Sequence, residues 1–122
     1  MAIAAINRPS DAGSVAAWIA SFSEAVLPTP VVGELLFGAL NSGRPRDNVA
    51  TVESLCKRCR VLTSDFGTAQ TYARVRAQLK EAGTPIPEND VWIAAACLQH
   101  SLPLATFDEH FAKVEGLRVV AP

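Results

Sequence analysis

Two apolar patterns alternate along the chain: short continuous runs and stripes at helical spacing. Ala25-Val26-Leu27, Val61-Leu62, Leu104-Ala105-Thr106 and Leu117-Arg118-Val119-Val120 are the runs that predict strands. Val15, Trp18, Ile19 and Phe22 make a helical stripe that Ser10 or Asp11 can cap. Thr29 caps a second helix, with Pro30 in its first turn, that reaches about Leu40 and stops at Asn41-Ser42-Gly43. A third covers roughly Asp47 to Arg58. Ser64 or Asp65 opens a longer one carrying Ala69, Tyr72, Val75 and Leu79, closed by Gly83. Thr84-Pro85-Ile86-Pro87 is a rigid extended connector. Beyond it, Asn89 or Asp90 begins a helix so apolar that both of its sides must be covered. Phe111 to Val114 predicts one further turn. Residues 2–6 read as a short helix remnant closed by Asn7-Arg8-Pro9. Strands alternating with helices predict an α/β sandwich around a mostly parallel sheet, in one domain spanning residues 1–122.

Composition narrows the class. The 122 residues are 49% hydrophobic, which excludes a disordered chain. The net charge of −1 excludes a strongly basic nucleic-acid binder, although Arg44, Arg46, Lys57, Arg58 and Arg60 concentrate positive charge in one segment. That segment is either an electrostatic footprint for a polyanion or a solvated face. No apolar stretch approaches the roughly 18 residues of a membrane helix, and the start does not read as a signal peptide, so a cytoplasmic protein is expected. Three cysteines do not make a disulfide framework. Cys56 and Cys59 form a C-x-x-C without a second pair at zinc spacing, and Cys97 lies in an apolar helix. All three are expected to be structural thiols.

The candidate chemistry lies in acidic residues placed within or beside apolar runs. Glu34 sits inside Val31-Val32-Gly33-Glu34-Leu35-Leu36-Phe37, Asp90 opens Val91-Trp92-Ile93-Ala94-Ala95-Ala96, and Asp108 follows Leu104-Ala105-Thr106-Phe107. A buried carboxylate is costly without a positive partner. Three drawn together suggest a hard divalent cation, Mg2+ or Mn2+. In a parallel sheet, ligands collect beyond the carboxyl ends of the strands, where all three residues can lie. Each has a structural alternative: an outward-facing helix residue for Glu34, a favoured first-turn acid for Asp90, a turn residue for Asp108. His100 and His110 lack the neighbouring nucleophile of Ser–His or Cys–His chemistry, and His110 is expected to pack or hydrogen-bond near Phe111. Gly33 and Gly38 are expected to permit close helix packing. A receiver domain, another small α/β fold with an acidic Mg2+ site, would need an acidic pair near its first strand and a late lysine, and neither is present.

These segments resemble the PIN-domain family and, within it, the VapC-like toxins of toxin–antitoxin pairs. Thr29-Pro30-Val31-Val32-Gly33-Glu34-Leu35-Leu36 is similar to the block that carries the family's acidic residue in a helix. Gly83-Thr84-Pro85-Ile86-Pro87-Glu88-Asn89-Asp90-Val91-Trp92 resembles the block with its metal-binding aspartate. Leu104-Ala105-Thr106-Phe107-Asp108-Glu109-His110-Phe111 resembles the third, with a hydroxyl at Thr106 and an acid at Asp108. The resemblance implies a Mg2+- or Mn2+-dependent endoribonuclease, paired with a small antitoxin and commonly dimeric. It implies Asp90 as a direct metal ligand, with Glu34 and Asp108 binding directly or through water. Thr106 would then hydrogen-bond a carboxylate or a bound water. It also implies an opening strand ending in Asp-Thr-Asn. Ala2-Ile3-Ala4-Ala5-Ile6-Asn7-Arg8-Pro9 instead resembles the helix after it, so the first strand and its aspartate are expected to be missing. Either the coding frame opens upstream of Met1 or this is a shortened, catalytically impaired relative. An impaired chain could remain a binding module that captures an antitoxin or dimerises.

Overall fold

The computed structural model describes residues 3–5, 17–22 and 24–120. Five strands, β1 (Ile3–Ala5), β2 (Ala25–Pro28), β3 (Arg60–Leu62), β4 (Leu104–Ala105) and β5 (Val119–Val120), form one sheet in the order β3-β2-β1-β4-β5, and every pairing is parallel. Residues 17–20 are helical (α1). The other helices are α2 (Thr29–Leu40), α3 (Pro45–Arg58), α4 (Phe66–Ala82) and α5 (Glu88–Gln99), followed by a 3-10 turn (Glu109–Lys113). The strand order runs outward from β1 to β3 and returns to the far side of β1 with β4. By the right-handed crossover rule, the helices before β3, with α2 packed on α3, and those after it, with α4 packed on α5, cover opposite faces, giving the sandwich that the sequence predicts.

The first strand is the main correction. It is not missing, and residues 3–5 are not helical. They occupy the centre of the sheet, with Ala4 opposite both Val26 and Leu104 and fully buried. The Ala4 N–H donates to the Pro103 carbonyl at 3.0 Å. Alanine favours helix in isolation, but two flanking strands with unpaired edges offer Ile3–Ala5 a ladder on each side, and that tertiary slot decides. The strand is present without its acid: positions 1–10 contain no Asp or Glu. Ser10, Asp11 and the predicted start of the α1 stripe lie outside the described residues.

Elsewhere the punctuation acts much as its chemistry requires. Asp65 accepts from the Thr68 N–H at 3.0 Å while Thr68 Oγ1 accepts from the Asp65 N–H at 3.0 Å, a reciprocal box that starts α4. Gln99 Nε2 adds a third donor to Asp65 at 2.7 Å, and these hydrogen bonds, with that from Gln99 foremost, hold the carboxyl below its usual range. Gly83 ends α4 with φ of +69°, the left-handed conformation that glycine adopts without penalty. Thr29 is not a cap. It is the first residue of α2, and its hydroxyl donates instead to the Leu62 carbonyl at 3.0 Å, tying the start of α2 to the end of β3. The α5 helix is buried from Asp90 to Cys97, with only Trp92 among these partly exposed, as its apolar composition demands. Cys56 and Cys59 are half-buried and Cys97 is fully buried, and desolvation pushes the Cys97 thiol up to about 12, so it stays protonated at neutral pH.

Gly33 and Gly38 do not mediate close packing. A Cβ at either position would meet nothing within 4 Å. Each therefore leaves backbone freedom in the unfolded chain with no compensating contact. Gly33→Ala and Gly38→Ala are each expected to stabilise the fold by about 0.5–1 kcal/mol. Urea denaturation should show midpoints moving upward with an unchanged slope.

Candidate metal centre

The strand order reverses between β1 and β4, and that gap is where an open parallel sheet leaves a crevice at its carboxyl edge. Asp108 arrives there three residues after β4 ends. Thr106, 5% exposed, accepts the Asp108 N–H on its hydroxyl at 3.0 Å and so fixes the backbone of the turn. Asp108 Oδ1 then accepts the His110 N–H at 2.9 Å and caps the 3-10 turn. The same oxygen lies 3.0 Å from His110 Nδ1. Phe111, fully buried one residue later, anchors the turn in the core.

Asp90 reaches the crevice from the other side. Pro87 caps α5 and accepts the Asp90 N–H at 3.0 Å. This places Asp90 in the first turn, where the helix dipole favours negative charge. Its side chain is 1% exposed, and Oδ2 lies 3.9 Å from His110 Nδ1. Ligand atoms of Asp90, Asp108 and His110 all fall within 4.8 Å of one another. A carboxylate this deeply buried beside a second one calls for positive charge at their meeting point. Carboxylate oxygens and an imidazole nitrogen are donors that suit a divalent cation, so the residues present fit a metal.

Glu34 stands apart from this group. It is half-buried in α2, and Oε1 accepts from Asn89 Nδ2 at 2.9 Å. Asn89 thus does not cap α5 but couples Glu34 to the turn that carries Asp90. Sequence reasoning expected His110 to pack or hydrogen-bond near Phe111; it does hydrogen-bond Asp108, but its imidazole also stands within the acidic group, which was not expected. The available signal was the Asp-x-His spacing, since an aspartate that caps its own turn brings the residue two positions on back toward its carboxylate. Beside the site, Thr106, Phe107, Asp108, Glu109, His110 and Lys113 help line an open concavity of about 1010 Å³.

The sequence profile described as PIN domain matches residues 1–117. The chain belongs to the PIN-domain family. It is 33% identical over 102 residues to a protein called Ribonuclease VapC5 of Mycobacterium tuberculosis, covering 76% of this chain and 75% of that one. It is also 33% identical over 87 residues to a tRNA(fMet)-specific endonuclease VapC of Salmonella typhimurium, covering 70% and 66%. Among solved structures, DNA-bound VapBC from Salmonella typhimurium superposes with a TM-score of 0.82 at 25% identity, covering 99% of this chain and 98% of that one. As a PIN domain, the chain has the parallel sheet expected of it.

Proposed function

We propose that the chain is the toxin of a VapBC-like pair, an endoribonuclease that hydrolyses RNA phosphodiesters with Mg2+ or Mn2+. The observation that carries this reading is the meeting of fully buried Asp90 with Asp108 at the reversal point of the sheet. Asp90 would hold the ion directly and Asp108 directly or through water. The bound ion would stabilise charge on the phosphate and make a water more acidic. Asp90 is immobilised by burial on the first turn of α5, so its oxygen is positioned without reorganisation. Thr106 acts through Asp108 by fixing its turn. Glu34, oriented by Asn89, is assigned to orienting the attacking water. The neighbouring concavity is where a polymer backbone would approach the ion. Phe37 and Leu40, 68% and 65% exposed at the end of α2, are apolar surface that an antitoxin helix would cover. A homodimer and a cytoplasmic location belong to the same reading. No helix among the described residues is long and apolar enough to cross a membrane.

Structured RNA incubated with the purified chain should be cut in Mn2+ or Mg2+ and left intact in excess chelator, with cutting restored when the ion is added back. Cleavage that persists in chelator would remove the metal from the mechanism. A second reading is favoured by the absence of acid from positions 1–10: a chain that binds an antitoxin but cuts nothing. Antitoxin binding with intact RNA under both ions would select it.

A further inference from the structure

We infer that His110 is a third metal ligand, and that its imidazole makes the centre prefer Mn2+ to Mg2+. The inference rests on the metal-site reading above and names the ion. Two features support it. The same nitrogen, Nδ1, faces both carboxylates, at 3.0 Å from Asp108 Oδ1 and 3.9 Å from Asp90 Oδ2. The backbone that carries the imidazole is fixed: the His110 main-chain N–H donates to Asp108 Oδ1, and the next residue, Phe111, is buried in the core.

The chemistry follows from the donors. Mg2+ demands oxygen ligands in near-ideal octahedral geometry, whereas Mn2+ tolerates a nitrogen donor and a less regular shell. A neutral imidazole coordinates through one nitrogen and carries its proton on the other. For His110 that means Nδ1 toward the ion and the proton on Nε2, which a side chain 49% exposed can present to water. Without the ion, Nδ1–H would donate to Asp108 instead. Both states keep Nδ1 beside Asp108, so loading the ion requires no movement of the chain.

Titration calorimetry with Mn2+ and with Mg2+, on the wild-type chain and on His110→Ala, Asp90→Asn and His110→Gln, tests this. The wild type should bind Mn2+ at least about tenfold tighter than Mg2+, and His110→Ala should lose roughly tenfold in Mn2+ affinity while changing little toward Mg2+. Pulsed electron paramagnetic resonance of the Mn2+ complex should show a coupled nitrogen in the wild type that is absent from both His110 variants. A purely structural role for His110 would not move that signature. Equal Mn2+ affinity in wild type and His110→Ala, with no nitrogen coupling, overturns the inference and leaves the metal-site reading intact if Asp90→Asn still abolishes binding. Binding that survives Asp90→Asn overturns both.

Discussion

Asp90→Asn is expected to lower RNA cleavage by on the order of 100-fold or more, because a direct ligand controls several kcal/mol of charge stabilisation and each 1.36 kcal/mol is a factor of ten. The substitution keeps the shape of the side chain and removes only its charge. It also relieves repulsion with Asp108, whose ligand atom lies within 4.8 Å. The folded state without metal should therefore be no less stable than the wild type. The contrast appears when Mn2+ is added. A ligand at 100 times its Kd stabilises the native state by about 2.7 kcal/mol, which for a domain of this size raises Tm by roughly 10 °C. The wild type should show that rise and Asp90→Asn should not. Calorimetric melting with and without Mn2+ reads this effect independently of any RNA assay. A variant that cuts at the wild-type rate, or keeps the Mn2+-dependent rise, excludes Asp90 from the centre.

The elements from Ala25 onward were legible because each is bounded by a residue with one dominant local preference. Pro30 admits only a first helical turn, Asp65 with Thr68 satisfies two orphan N–H groups, and Gly83 takes a left-handed φ. The first strand had no such mark. Ile3-Ala4-Ala5 carries no alternation, a pattern common to central strands of parallel sheets, and alanine inclines the eye to helix. Only the vacant ladder between β2 and β4 identifies it, and that vacancy is tertiary information. The site divides the same way. Asp90 and Asp108 stand out as acids against apolar runs, and the fold brings them together. Glu34 stands out equally but is joined to the site through Asn89 rather than inside the group. His110 enters through the backbone of a capped turn, a geometry that a lone histidine beside a phenylalanine does not announce.

The turn that carries His110 also sets the second large effect. Phe111→Ala should destabilise the fold by about 3–5 kcal/mol, the cost of emptying a fully buried aromatic site. Domains of this kind are stable by only about 5–15 kcal/mol in total, so a large part of the margin disappears. The loss should not be confined to the core. Asp108 and His110 are held by a 3-10 turn with few backbone bonds of its own, and the Phe111 ring is what pins that turn to the sheet. Releasing it loosens two of the three grouped ligand atoms while leaving Asp90 on α5 in place. Folded Phe111→Ala should therefore bind Mn2+ roughly 10–100-fold more weakly, as expected when the support of a ligand is removed. Phe111→Leu refills most of the volume and should recover much of both losses together. Urea denaturation and Mn2+ titration on the two variants would show this as a shared dependence on the ring. Stability recovered by leucine without any recovery of metal affinity would mean that the turn is positioned by something other than its buried anchor.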